Sequence, residues 1–169
     1  MPLDALREPI VFHVEPWSAV VPEMRPVWLL HWREVARDHI AVPLAVGYGA
    51  YEELEAAGRL HVLTARLRGR LVGYVVTIVQ PHLHYAGTLF GTFDLFYLLP
   101  ELRRGWRGVQ MFRAAERSLR ARGVRVLQAG TKIHASPLTG KSLDAGPIFE
   151  FLGWVQTERV YRKLLESGE

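Results

Sequence analysis

Between Leu60 and Arg122 the apolar residues of this chain change period, and that change restricts the fold more than any other feature of the sequence. Leu60–Leu67 and residues 71–79 are two β-rich runs, and Arg68-Gly69-Arg70 between them is a hairpin signal. Residues 88–99 read as a third strand, crowded with Phe90, Phe93, Phe96 and Tyr97. Asp94 is its only charge, and Pro100 ends it because proline cannot donate to a ladder. Over residues 105–122 the spacing becomes helical. Trp106, Val109, Phe112, Ala115 and Leu119 recur every three or four residues, Arg107, Arg113, Arg117 and Arg120 take the other face, and Gly123 closes the helix.

The remaining segments fit around that block. Residues 10–14 read as a short strand and 22–39 as a helix, with Pro22 and Pro26 tolerated in its first turns. A loop is expected over 40–49, a short helix over 51–57, a loop over 80–87 and a buried strand over 124–129. Residues 131–146 are polar and loop-like, 147–152 read as the last turns of a helix, and 154–165 as a closing strand. This order predicts an α+β fold layered α/β/α, with a mixed, mostly antiparallel central sheet and flanking helices. No repeat, low-complexity tract or linker interrupts the chain, so 1–169 is expected to be a single domain.

Composition narrows the chemistry. The chain has no cysteine, which excludes disulfides, thiolate metal sites, iron–sulfur clusters and a cysteine nucleophile. Its longest apolar run, 40–46, is far short of the roughly 18–20 residues of a membrane span. Residues 1–8 lack the basic head and apolar stretch of a signal peptide, so a cytoplasmic protein is expected. The net charge is only +4, but 18 of the 21 basic residues are arginine. Eight of these lie from Arg103 to Arg125, opposed only by Glu116. Guanidinium groups suit phosphate, whether of a small ligand or of nucleic acid. The plain alternative is a solvated helix face.

The unit 94–108 joins strand, Arg/Gly loop and long helix. A helix start presents unpaired N–H groups and the positive end of the dipole, and glycine lets backbone approach an anion. Such a loop can cradle a diphosphate.

From the third strand to the end, the sequence resembles the GNAT family of acyl-CoA N-acyltransferases, whose strand reads Glu-x-Leu-Tyr-Val-x-Pro before an Arg/Gln-x-x-Gly-x-Gly/Ala loop. Asp94 stands at the Glu, Tyr97-Leu98 at Tyr-Val, Pro100 at the Pro, Arg103 at the Arg and Gly108 at the last Gly. Trp106 replaces the middle Gly, and Gly105 lies one position earlier. The form Arg-Arg-Gly-x-x-Gly is similar to a phage-type subgroup. Further on, Phe149-Glu150-Phe151-Leu152-Gly153-Trp154 resembles the family's Tyr-Glu-Lys-Leu-Gly-Phe, and Glu158, Tyr161, Lys163 and Leu165 fit its ending. Leu71-Val72-Gly73-Tyr74 fits its strand start.

The resemblance implies acetyl-CoA as cosubstrate and transfer of acetyl directly to a primary amine of a small molecule or peptide. The diphosphate would sit on backbone N–H groups from Arg103 through Arg104, Gly105, Trp106 and Arg107 to Gly108. The pantetheine arm would lie where the third strand splays from the next, with the thioester carbonyl on a backbone N–H near Leu98. Asp94 is the implied base; its other reading is a strand carboxylate paired with an arginine. The acid the family places on a Tyr is missing, because Phe149 holds that position. A homodimer stays open on the same ground. Two other readings stand beside this one. One is a silent CoA-binding protein of the same fold. The other is an Arg-rich nucleic-acid module, against which stand the lack of a partner turn-helix and the glycine spacing. His82 and His84 lack a third ligand nearby and predict no metal site. His134 and the Trp17, Trp28 and Trp32 region are candidates for the acceptor wall or the core.

Overall fold

The computed structural model describes residues 8–36 and 41–165. In chain order these form β1 (Val11–Val14), α1 (Trp17–Val35), α2 (Tyr48–Ala56), β2 (Leu60–Leu67), β3 (Arg70–His82), β4 (Tyr85–Leu98), α3 (Arg107–Ala121), β5 (Val126–Ala129) and α4 (Gly146–Phe151). The strands build one sheet in the order β1-β2-β3-β4-β5. The first three pairings are antiparallel and β4–β5 is parallel. The mixed, mostly antiparallel sheet with flanking helices is the predicted architecture. Among the described residues no helix is long and apolar enough to cross a membrane.

The β2–β3 hairpin forms where the sequence signals it. Arg68 and Gly69 both take positive φ, 53° and 78°, as a two-residue hairpin turn matched to strand twist requires. β2 and β3 occupy the middle of the sheet, and Leu63, Ala65, Val72, Tyr74, Val75 and Val76 are almost wholly buried. α3 packs Phe112, Ala115 and Leu119 into the same core.

β5, expected as a buried strand over 124–129, is a four-residue edge strand whose residues are exposed or half-buried. Three further expectations need correction. α1 starts at Trp17 rather than residue 22, so Pro22 and Pro26 lie inside it. An interior proline costs roughly 3 kcal/mol. The buried stripe Trp17, Val20, Met24, Val27, Trp28 and His31 offsets that cost. Glu55 of α2 caps the start by accepting the Trp17 and Ser18 backbone N–H groups. Residues 37–40, the expected end of this helix and start of the next loop, lie outside the described residues.

Second, the expected loop 80–87 is mostly strand. β3 runs through Pro81 to His82 and β4 begins at Tyr85. The register slips between Pro81 and His82, and a bulge is where a sheet tolerates proline. Third, residues 154–165 form no strand. Trp154 is anchored, its indole N–H donating to Glu116 Oε1 at 2.6 Å. Beyond it Val155, Val160, Tyr161 and Leu165 are all at least 78% exposed. A β-rich pattern becomes a strand only against an edge, and β5 is only four residues long.

Candidate active site

The site begins where the sheet opens. β4 pairs with β5 only over Phe90, Gly91, Thr92 and Phe93, opposite Val126–Ala129. β5 then stops while β4 continues to Leu98, still paired with β3 as far as Gly73 opposite Leu98. Among the described residues, one flank of β4 has no strand partner from Asp94 to Leu98. Asp94 is the first residue of that flank, and it is also a bulge. The β3 register passes from Val76↔Leu95 to Thr77↔Phe93, leaving Asp94 without a partner. The exposed Asp94 carboxylate reaches α2, where Oδ2 accepts a 2.5 Å hydrogen bond from the Tyr51 hydroxyl. Burial raises the Tyr51 pKa, and the bond to Asp94 raises it further, so Tyr51 keeps its proton and stays a donor.

At the other end of the flank, Leu99 N–H donates to Val72 O at 2.9 Å and so faces β3. Strand alternation therefore turns the N–H and C=O of Leu98 toward the open side. The Leu98 carbonyl accepts Arg103 Nε at 2.7 Å, and the Leu98 N–H faces the opening. Gly73 lets this strand end lie close, since a Cβ there would stand 2.6 Å from the Tyr97 carbonyl oxygen.

Beyond Leu98 the chain makes a 3-10 turn over Pro100–Leu102 and reaches α3 through Arg103, Arg104, Gly105 and Trp106. Gly105 has φ +68°, a conformation that favours glycine. Trp106 is the N-cap and makes no side-chain capping bond. The first backbone bond of the helix comes from Gln110 N–H to Trp106 O, so the amides of Arg107, Gly108 and Val109 have no intrahelical acceptor. Gly108 faces α4, where an added Cβ would lie 3.6 Å from Ile148 Cδ1.

The predicted loop residues divide. Arg104 and Trp106 are exposed, and Trp106 leans on Phe151 with ring centroids 5.2 Å apart. Arg104 and Arg107 share a groove of about 590 Å³ with Arg113 and Arg117, between α3 and the segment 8–12 that enters β1, and Arg107 Nη2 donates to the Glu8 carbonyl at 3.4 Å. Arg103 does otherwise. Its guanidinium grips Glu34 of α1 with both terminal nitrogens, Nη2 to Oε2 at 2.8 Å, and lies over the Tyr97 ring, 5.0 Å from its centroid. Its backbone N–H bonds Pro100 O. Burial pushes the Glu34 carboxyl up, and the Arg103 bonds and charge more than reverse this, leaving it below its usual value. Tyr97 in turn stacks on His31 at 4.7 Å, and His31 Nδ1 shares a 3.0 Å hydrogen bond with the Tyr74 hydroxyl. Burial drives His31 down to about 4, so it is neutral at pH 7.

Elsewhere Phe149 is buried among Phe96, Phe112 and Trp154 and offers no proton. Trp17 and Trp28 are core residues that pack on Tyr48 and Tyr51. His134 Nε2 meets Val35 O at 3.2 Å. His82 and His84 lie side by side at the β3–β4 hairpin tip, their rings 5.4 Å apart and tilted by 43°. Sequence reasoning missed Tyr51 and Glu34. Tyr51 left no signal, since it lies 43 residues from Asp94. Glu34 did leave one. It continues the stripe of Val27 and His31, and a carboxylate on a buried stripe requires a partner.

This fold, with a bulged β4 that parts from a parallel β5, is shared with solved acetyltransferases of the GNAT fold. A ribosomal-protein-alanine N-acetyltransferase from Brucella melitensis biovar Abortus 2308 superposes with TM-score 0.67 at 16% identity, over 94% of this chain and 100% of that one. An aminoglycoside acetyltransferase from an uncultured soil metagenomic sample gives 0.69 at 13% identity, over 95% and 100%. A predicted acetyltransferase from Clostridium acetobutylicum, solved with acetyl-CoA, gives 0.61 at 11%, over 92% and 96%. At these identities the likeness is one of fold. No family model and no curated protein matches the chain.

Proposed function

We propose that this protein is an acetyl-CoA-dependent N-acetyltransferase that transfers acetyl directly to a primary amine of a small molecule or peptide. One observation carries the reading: the flank of β4 that opens at Asp94 leads through a loop with Gly105 at positive φ to the N-terminus of α3, where the Trp106 side chain makes no capping bond. The Brucella neighbour acts on nitrogen by its name, and the Clostridium neighbour holds acetyl-CoA. The resemblance to a phage-type subgroup rests on the Arg-Arg-Gly-x-x-Gly spacing alone.

In this reading the amides of Arg104, Gly105, Trp106, Arg107 and Gly108 hold the diphosphate, with Arg104 and Arg107 adding charge. Arg103, whose backbone N–H is taken by Pro100 O and whose guanidinium is taken by Glu34 and Leu98 O, holds the strand end instead. Acetyl-CoA, when bound, supplies an activated acetyl thioester. The Leu98 N–H stabilises the negative charge that develops on the thioester oxygen. Asp94, steadied by Tyr51 on Oδ2, takes the proton of the attacking amine through Oδ1 or a water. The C–N bond forms, the C–S bond breaks, and the coenzyme leaves as a thiolate. A thiol of pKa about 8.5 can leave without an enzyme acid, which fits a buried Phe149.

Free-thiol release with acetyl-CoA and a panel of amines tests the reading. Turnover with at least one amine is expected. Asp94→Asn should lower it about 100-fold with coenzyme A affinity unchanged. A wild-type rate in that variant removes Asp94 from the mechanism. Coenzyme A binding without thiol release across the panel would favour the silent CoA-binding reading.

A further inference from the structure

We infer that Glu34 is a positioning residue for the thioester end of the site: through Arg103 it fixes the Leu98 carbonyl and thereby aims the Leu98 N–H into the open flank of β4. The inference rests on the acetyl-CoA reading above and adds to it a residue from a different layer of the fold.

Glu34 is 5% exposed and sits on α1, 69 residues from Arg103 in sequence. Three bonds tie up the guanidinium, two to the Glu34 carboxylate and one to the Leu98 carbonyl. A guanidinium has five donors, so most of its capacity is committed inside the protein, and its charge is balanced by Glu34. Such a group is a poor diphosphate ligand and a good strut. The carbonyl it holds needs holding. β5 ends at Ala129, so no strand takes up the Leu98 oxygen, and a main-chain carbonyl in a buried residue is costly to leave unpaired. The peptide plane that carries the Leu98 oxygen also carries the Leu99 N–H, so Arg103 on one edge and Val72 O on the other hold that plane. The Leu98 N–H belongs to the preceding peptide, and the strand pairing of Tyr97 and Leu98 with β3, with the Tyr97 ring beneath the guanidinium, carries the restraint to it. Glu34 acts on the strand end through Arg103, and its carboxylate also meets the Tyr97 hydroxyl beside that guanidinium.

The experiment compares Glu34→Gln with Glu23→Gln. Glu23 lies on the same helix and pairs with Arg66, remote from the loop. Three probes separate the two ends of the site: acetyl-CoA, acetyl-pantetheine, which lacks the diphosphate, and ADP as an inhibitor, which lacks the thioester arm. Glu34→Gln should lower kcat/KM about tenfold with acetyl-CoA and by the same factor with acetyl-pantetheine, leaving ADP inhibition unchanged. Glu23→Gln should change none of the three. Arg103→Lys keeps the charge and loses the fork, and it should reproduce the Glu34→Gln pattern even if the glutamine variant does not fold. A loss seen with acetyl-CoA and ADP but spared with acetyl-pantetheine would make Arg103 a phosphate ligand and overturn the inference. So would wild-type kinetics in Glu34→Gln. A wild-type protein inactive toward acetyl-CoA would instead sink the reading on which the inference stands.

Discussion

Glu23, in the N-terminal half of α1, and Glu34, near its C-terminus, fasten the helix to arginines, and the two ends are built inside out from one another. Near Glu23 the arginine is the sheltered partner. The Arg66 side chain is 15% exposed, while Glu15 and Glu23, which grip it, are 25% and 48% exposed. Near Glu34 the carboxylate is sheltered at 6%, and Arg103 is 37% exposed. At the first end water can solvate the carboxylates if the arginine is lost. At the second, loss of the arginine strands a carboxylate in the core. The same pairing is therefore a surface fastener at one end and a constraint on the strand end beside the open flank at the other.

Arg103→Met tests that contrast with the largest expected effect. It leaves Glu34 buried without its partner and should cost about 3 kcal/mol in urea unfolding, the low end for a broken buried pair because Arg103 is itself partly exposed. Arg66→Met should cost about 1 kcal/mol, since its carboxylates return to water. Equal losses would erase the distinction between the ends.

Lowering the pH sharpens the comparison, because only the Glu34 end carries a buried histidine. His31 is held near 4 by burial; Glu34 pulls it up, while Arg103 and Lys132 push it down. His61 of β2 is also driven to about 4, by burial and then by Arg122. Both lie below the unfolded value of about 6.5, so between those limits the unfolded chain binds protons that the folded one does not. Stability is full above pH 6.5 and is lost as pH falls toward 4, by on the order of 3 kcal/mol for each histidine. His31→Asn should remove about half of that slope whatever its effect at pH 7. An unchanged slope would show that His31 titrates normally. At the Glu23 end, Arg66 holds Glu15 and Glu23 below their usual values, so that end adds its loss only at lower pH.

What the sequence disclosed and what it hid follow one physical division. The β2–β3 turn and α3 are legible because their determinants are neighbours: Arg68-Gly69 in one, a three-to-four repeat in the other. The site's strand and loop are legible for the same reason, since Asp94, Leu98 and the loop 103–108 are one continuous run. What closes the site comes from afar. Glu55 caps α1 from 38 residues away, Tyr51 meets Asp94 across 43, and Glu34 meets Arg103 across 69. Arg103 is the instructive case. Its place in the motif suggests a phosphate contact, and only tertiary packing shows its charge turned inward to Glu34. The missing closing strand has the same origin, because pairing depends on an edge that local pattern cannot report.

Calorimetry with coenzyme A tests the central claim most directly, that the parted end of β4 and the start of α3 form one coenzyme site. The account predicts saturable, stoichiometric heat in the wild type, lost when Gly108→Trp fills the space against Ile148 in a variant whose circular dichroism is unchanged. No heat from the wild type at millimolar coenzyme A would contradict it.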